Sequence, residues 1–555
     1  MDMVKVTIDG RQVEVPKTAT VLQAARACGI KIPTLCYHPE LRPEGACRVC
    51  MVEVEGAKSL VAACVYPVSD GMVVHTNTAA VLEARKTVVE LMLANHPKDC
   101  LACQRNLNCE LQTIAADLGI RKIRFDGEMK NHPLDDSNPA LVRDQNKCIL
   151  CGRCIRACSE VQDMHVLNFA HRGFNTVVVP AFNQGLQEVA CTYCGQCAAV
   201  CPTAAIVEKD DTAKAWAALS DPNKHVVVQT APAVRVALGE ALGMPSGSIV
   251  TGKMVAALRR LGFDRVFDTD FSADLTIMEE GHEFIERLQH GGVLPMLTSC
   301  SPGWVNFMEL EYPDLLDHLS TAKSPQQMFG AMVKTYYAEK AGIDPKDIVS
   351  VSIMPCTAKK AEAVRPEMNA SGYQDVDIVL TTRELARMIK QAGIQFANLP
   401  EEDFDAPLGI STGAGVIFGA TGGVMEAALR TVADVLSGED LPNVEYTAVR
   451  GLQGVKEAQL TIAGKTIKIA VAHTLANARQ LMEKIRHGEA DYHFIEIMAY
   501  PGGCIGGGGQ PVPVDASVRQ RRIESIYTCD VQSTWRKSHE NPAIKTLYAE
   551  YLGAP

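Results

Sequence analysis

A multidomain α+β chain is predicted from three observations. At 555 residues the sequence exceeds what a single hydrophobic core supports, and its 47% apolar content is enough to fold several. Fifteen of the 20 cysteines, with one histidine, sort into four sets within the first 201 residues. From about His225 the composition turns to ordinary α/β, with apolar strand candidates such as VVVQTA (226–231) and IVSVSIMP (348–355) alternating with helical stretches.

The net charge of -11 is mild for this length and the basic residues are scattered, so nucleic acid and membrane surfaces are not expected partners. No apolar run approaches the roughly 20 residues of a membrane span, and the opening MDMVKVTIDG lacks the basic and apolar regions of a signal peptide, which predicts a cytoplasmic protein. In a reducing compartment so many cysteines point to metal ligation, and close C-x-x-C spacings would strain disulfides in any case. Zinc modules mostly repeat pairs, whereas triplets with a distant fourth Cys followed by Pro match iron–sulfur practice.

Residues 4–15 alternate in polarity around Asp9-Gly10, a hairpin signature, and an amphipathic stretch from about Thr20 to Cys28 reads as a helix. This is the opening of a ferredoxin-like β-grasp. The four cysteines that follow, Cys36, Cys47, Cys50 and Cys64, are ordered as in plant ferredoxins but more widely spaced, which predicts a [2Fe-2S] site. Cys28 lies on the preceding helix and reads as a packed core thiol.

A long helical pattern from about Ala79 to Pro97 delivers His96, Cys100, Cys103 and Cys109. This H-x3-C-x2-C-x5-C set resembles the [4Fe-4S] site held by one histidine and three cysteines in complex I and hydrogenase subunits. A neutral imidazole in place of a thiolate makes such a site less negative and raises its potential. Two C-x2-C-x2-C-x3-C runs come next: Cys148, Cys151, Cys154, Cys158, then Cys191, Cys194, Cys197, Cys201 with Pro202. In two-cluster ferredoxins the fourth Cys of each run serves the other cluster, pairing Cys201 with the first triplet and Cys158 with the second. The cofactors expected are thus one [2Fe-2S] and three [4Fe-4S] clusters, one of them with a His ligand.

Further on, Cys300, Cys356 and Cys504 each lie in a Gly- or Pro-bearing loop after an apolar run, where strand ends commonly present site residues. Their strings, TSCSPGW (298–304), MPCTAKKAE (354–362) and EIMAYPGGCIGGGGQP (496–511), resemble the three signature segments of the [FeFe]-hydrogenase catalytic domain. With the four preceding sites in the same order and an ending, NPAIKTLYAEYLG, like the family's C-terminal segment, the resemblance covers essentially the whole chain. It implies a β-grasp [2Fe-2S] domain (1–78), a one-His/three-Cys cluster domain (79–138), a two-[4Fe-4S] ferredoxin-like domain (139–222) and an α/β hydrogenase-like domain (223–555).

In that family the H-cluster is a cubane held by four cysteines and joined through one of them to a diiron unit. The resemblance assigns Cys356 and Cys504 as ligands, with Cys504 bridging. It assigns Cys300, Glu280, Glu283 and Ser320 to a proton relay, and Lys359, Gln326, Met354, Met498, Ala231, Pro232 and Phe418 to the diiron pocket. Lys359 is suited to charge-assisted hydrogen bonding with a cyanide. Two positions depart from the pattern. Ser301 stands where T-S-C-C-P has its second cysteine, and Tyr500 where M-A-C-x-G-G-C has its first. A hydroxyl is far less acidic than a thiol, so iron binding there must overcome a larger deprotonation cost, and Tyr500 adds bulk.

The expectation is an iron–sulfur electron-transfer subunit of a hydrogenase-like, electron-bifurcating oxidoreductase complex, with the H-cluster absent or altered. The alternative is an active [FeFe]-hydrogenase. The resemblance implies NAD(P)-linked partner subunits containing flavin and iron–sulfur clusters, with ferredoxin and a terminal enzyme such as formate dehydrogenase as further candidates. The glycine runs at 413–423 and 502–509 lack the strand–turn–helix setting of a dinucleotide fingerprint, and close loop packing accounts for them better.

Overall fold

In the computed structural model, which describes residues 2–442 and 444–555, Asp9 and Gly10 both take positive φ, 48° and 79°. Two such residues make the tight hairpin turn that matches strand twist, and they join β1 (Met3–Ile8) to β2 (Arg11–Pro16). With β3 (Met51–Val54), β4 (Val61–Ala62) and β5 (Met72–His75) these form one sheet in the order β2-β1-β5-β3-β4. Helix α1 (Val21–Ala27) starts at a Thr20/Gln23 capping box and buries Val21, Leu22, Ala24 and Ala25 on that sheet. Cys28 ends α1, packs against the same core and donates its thiol to the Ala25 carbonyl at 3.3 Å.

Helix α2 (Ala79–Ala94) is capped by Thr78 and ends at Asn95, which leaves His96 just beyond its last turn. Arg85 on its buried face donates to the Met51 carbonyl at 2.7 and 3.0 Å, docking the helix on β3. Helix α3 (Glu110–Asp117) follows. Leu35, Cys36, Cys47, Val49, Val89, Leu111, Ile114 and Cys151 share one apolar cluster, so three cluster-binding segments share a core.

The two-triplet segment is small. Strand β6 (Leu141–Arg143) pairs antiparallel with β9 (Ile206–Glu208), and β7 (Asn168–Ala170) with β8 (Val177–Val179). Two one-turn helices, α4 (Arg153–Arg156) and α5 (Gln196–Ala199), each begin after a glycine at positive φ, Gly152 and Gly195. This repeat mirrors the repeated cysteine run. Helix α6 (Thr212–Leu219), which the sequence grouped with this segment, instead buries Ala215 in the core of the C-terminal domain.

That domain holds two four-stranded sheets. In one, β11 (Arg265–Asp268), β10 (His225–Thr230), β13 (Ile348–Met354) and β14 (Ile378–Thr381) lie parallel in that order. In the other the order is β12 (Met296–Leu297), β17 (Phe494–Met498), β16 (Lys465–His473), β15 (Val455–Ile462), with only β15 antiparallel. The loops carrying Cys300, Cys356 and Cys504 follow the C-terminal ends of β12, β13 and β17.

Glu208 at the end of β9 ties the two parts together. Arg383 reaches it at 2.7 and 3.1 Å and Arg387 at 2.8 Å. Burial alone would raise this carboxyl, but the two guanidinium groups outweigh it and hold the group well below the usual range. Among the described residues no helix is long and apolar enough to cross a membrane.

Candidate metal centres

Cys36, Cys47, Cys50 and Cys64 are all buried. The Cys36 amide donates to the Cys47 sulfur at 3.4 Å and the Cys47 amide to the Cys36 sulfur at 3.5 Å. Hydrogen bonds from Cys47 and Cys64 hold Cys36 far below the usual thiol range, and one from Cys64 lowers Cys50 to about 7. The same hydrogen bonds, with burial, raise Cys47 and Cys64 in turn, so these two keep their protons until a metal displaces them. Four thiols in mutual reach, offered backbone N–H groups, fit a [2Fe-2S] cluster.

Cys100 is exposed, whereas Cys103 and Cys109 are half-buried, with Cys109 opening α3. Burial pushes the His96 imidazole down, toward the neutral form a metal ligand needs. Among the described residues no hydrogen bond joins the His96 ring to these cysteines. His96 lines a groove together with Cys47 and Cys148. The Glu110 amide donates to the Pro202 carbonyl at 2.9 Å, which brings the Cys109 segment beside Cys201.

In the two-triplet segment, Cys148, Cys151, Cys154 and Cys201 line one cavity. Cys158 sits with the other triplet, close enough to raise Cys191, Cys194 and Cys197. Burial is the main cause of the upward shifts, which reach about 12 at Cys151 and Cys191. Thiolates packed this way need a cationic partner, and the iron of a cubane would supply it. Among the described residues no three His, Cys, Asp or Glu side chains close on a single metal ion.

The C-terminal site is a cavity of about 50 Å³ between the strand ends. Ala231, Pro232, Cys300, Gln326, Met354, Cys356, Lys359, Phe418, Met498 and Cys504 all line it, together with Ser301 and Tyr500. Thr269, Ala273, Pro302, Pro325 and Pro355 complete the wall. Sequence reasoning missed these five, because small and apolar side chains carry no chemical signal.

Glu280 is fully buried, receives the Ser299 amide at 3.4 Å and is pushed up to about 8 by burial. Ser320 donates to Glu283 at 2.9 Å, and Arg287 donates to the same carboxylate at 2.6 Å. The Cys300 thiol is raised by burial and then by Glu280. The Lys359 ammonium is engaged by Glu362 at 3.0 and 3.1 Å and by the Cys300 carbonyl at 3.1 Å. Glu362 also accepts from Ser324 and Gln326, both at 2.9 Å. Its place three residues after Lys359 on the helix Ala358–Ala363 was the available sequence signal.

Ser301 and Tyr500 do not fit a cubane. The Ser301 hydroxyl accepts the Ala499 amide at 3.4 Å, and the Tyr500 ring is 1% exposed. The Tyr500 hydroxyl makes no hydrogen bond to any nitrogen or oxygen among the described residues. Burial and then the Cys356 thiol push its phenol well above the usual range. A methyl group on Gly303 would lie 3.2 Å from the Ala499 Cβ and 3.5 Å from the Tyr500 hydroxyl, so the phenol packs against the first turn of the helix Pro302–Glu311.

Short bonds join this site to the second triplet. Thr357 donates to the Tyr193 carbonyl at 2.7 Å, Gln196 to the Gly506 carbonyl at 3.0 Å, and Gln162 to the Ala499 carbonyl at 2.8 Å. A Cβ on Gly508 would lie 2.5 Å from the Cys194 carbonyl oxygen, which is why glycine stands there.

Fold and sites together define a multi-domain iron–sulfur protein built onto a hydrogenase-type α/β domain. The family described as iron only hydrogenase large subunit, C-terminal domain, matches residues 224–508, and the iron hydrogenase small subunit family matches 516–555. Families described as 2Fe-2S iron-sulfur cluster binding domain, NADH-ubiquinone oxidoreductase-G iron-sulfur binding region and 4Fe-4S dicluster domain match 1–79, 85–124 and 147–205.

The chain is 54% identical to the NADP-reducing hydrogenase subunit HndD of Solidesulfovibrio fructosivorans, over 100% of its length and 97% of the relative's. It is 42% identical to iron hydrogenase 1 of Clostridium pasteurianum, again over 100% and 97%. A solved [FeFe]-hydrogenase variant from Chlamydomonas reinhardtii superposes with a TM-score of 0.57 at 46% identity, covering 62% of this chain and 96% of that one. The chain belongs to the iron-only, or [FeFe], hydrogenase large-subunit family.

Proposed function

We propose that this chain is the iron–sulfur electron-transfer subunit of a hydrogenase-like, electron-bifurcating oxidoreductase complex, and that its H-cluster site is empty or altered. The observation that carries the second half is Tyr500, fully buried against Cys356 at a position the family gives to a cubane ligand. With Ser301 beside it, Cys356 and Cys504 are the thiols left at the four ligand positions.

In this reading Cys36, Cys47, Cys50 and Cys64 hold a [2Fe-2S] cluster, while His96, Cys100, Cys103 and Cys109 hold a [4Fe-4S] cluster. Cys148, Cys151, Cys154 and Cys201 hold a second cubane, and Cys191, Cys194, Cys197 and Cys158 a third. Bound clusters supply one-electron carriers; the chain's residues fix their spacing, exclude water and offer hydrogen bonds to sulfur. The shared core of Cys36, Cys47 and Cys151 supports this spacing. NAD(P)-linked partners are supported by the 54% identical relative, an NADP-reducing hydrogenase subunit. We propose that they carry flavin and iron–sulfur clusters, that ferredoxin or a formate dehydrogenase-type terminal enzyme completes the circuit, and that the complex is cytoplasmic.

The retained Glu283, Ser320, Glu280 and Cys300 favour the alternative, an active hydrogenase. Iron and acid-labile sulfide on anaerobically purified protein separate the two. Filled N-terminal sites give about 14 iron atoms per chain, and a complete H-cluster gives about 20. Infrared bands of iron-bound CO or cyanide, after expression with hydrogenase maturation enzymes, would overturn the proposal.

A further inference from the structure

Arg156, on the single turn of α4 between Cys154 and Cys158, is 2% exposed and among the largest fully buried side chains of the protein. Its Nη2 donates to the Cys36 carbonyl at 2.8 Å and to the Cys151 carbonyl at 3.2 Å. Its Nη1 donates to the Arg42 carbonyl, and its Nε to the Gly152 carbonyl at 3.4 Å. One guanidinium therefore holds the backbone of cysteines from two different sets.

Its neighbour provides an internal contrast. Arg153, on the same turn and as deeply buried, forms a bidentate pair with Glu110 at 2.6 and 2.9 Å, so its charge has a counter-ion. Among the described residues Arg156 has one carboxylate in ion-pair range, Glu44 at 3.5 Å, and makes no hydrogen bond to it. Its remaining donors go to neutral carbonyls. A buried cation so weakly compensated calls for negative charge close by, and clusters ligated by thiolates carry it, more so when reduced.

We propose that Arg156 is a positioning residue for electron transfer: it fixes the [2Fe-2S] site against the first-triplet cubane and raises the reduction potential of both. The inference rests on the cluster assignments proposed above. Each added electron is stabilised by the same buried charge, and the fork to Cys36 and Cys151 keeps the two ligand loops in register.

The test is an EPR-monitored redox titration of the full-length, cluster-loaded protein. In Arg156→Gln both potentials should fall, each by at least a tenfold change in the oxidised-to-reduced ratio, which is about 59 mV for one electron. The cubane of Cys191, Cys194, Cys197 and Cys158 should stay in place, and Arg156→Lys should restore most of the shift. Glu44→Gln, on the protein's partly exposed side, removes the facing carboxylate and should move both potentials upward. It therefore carries the test if Arg156→Gln loses iron. Two unmoved potentials, or a shift confined to one centre in either variant, would overturn the inference. Absence of either signal from the unmodified protein would overturn the cluster assignments, and this inference with them.

Discussion

The N-terminal array and the C-terminal cavity treat the same chemistry in opposite ways. In the array, thiols gather in sets, and Cys148, Cys151, Cys154 and Cys201 ring a space of their own. At the C-terminal site Lys359 and the predicted wall residues line one cavity, and Glu280 and Glu283 share the helix Thr269–His290, yet Ser301 and Tyr500 stand where the family pattern has two of its cysteines. The protein's own phenol lies against Cys356 there, and the Ser301 hydroxyl oxygen accepts the Ala499 amide. On the proposed reading the fold keeps its scaffold while side-chain packing takes the cofactor's place, because apolar burial stabilises the domain whether or not the cofactor is bound.

The largest effect should come from breaking the array. Cys201→Ser should remove the EPR signal of the first-triplet cubane and about four iron atoms, while Cys158→Ser should remove that of the second. A Cys158→Ser protein that loses the first-triplet signal would exclude the crossed assignment. Next is conversion of one region into the other. Ser301→Cys combined with Tyr500→Cys should raise the iron content by about four atoms after reconstitution. Without iron, the same variant should be about 3–5 kcal/mol less stable, because a buried aromatic ring has been exchanged for a small thiol. Denaturant unfolding with and without reconstitution reads both, and an unchanged iron content would mean that the surrounding packing has altered too.

A smaller effect measures how far the two regions act as one unit. Arg383→Ala leaves Glu208 with Arg387 alone and should cost about 3 kcal/mol, the low end for breaking a buried pair. The lowered Glu208 pKa contributes stability that is present above the ordinary glutamate range and lost as pH falls below it. The variant's stability should therefore fall less steeply on acidification than that of the unmodified protein. Thermal unfolding across that range checks this.

The last effect is one of slope and concerns Glu280, whose folded pKa is raised to about 8. Its contribution to stability is full below the ordinary carboxylate range and is lost as pH rises toward about 8. Glu280→Gln should flatten that slope, by a few kcal/mol at most between pH 5 and 9. An unchanged slope would mean that Glu280 is ionised at neutral pH.

By itself the sequence determined everything that depends on local spacing. Asp9-Gly10 specified a hairpin, the amphipathic stretch from Thr20 a helix, and the two repeated cysteine runs a repeated unit. It also displayed the two departures, Ser301 and Tyr500, because the flanking strings set the register. What it did not carry is any contact between residues far apart in the chain. Helix α6 joined the C-terminal core because Ala215 packs there, which its own amphipathic pattern does not specify. Glu362 gathers Lys359, Ser324 and Gln326, and Arg156 spans Cys36 and Cys151, only once separate segments are packed side by side. Periodicity and spacing report what one segment does, whereas hydrogen bonds and buried charge are settled between segments, where low dielectric makes each unmet partner costly.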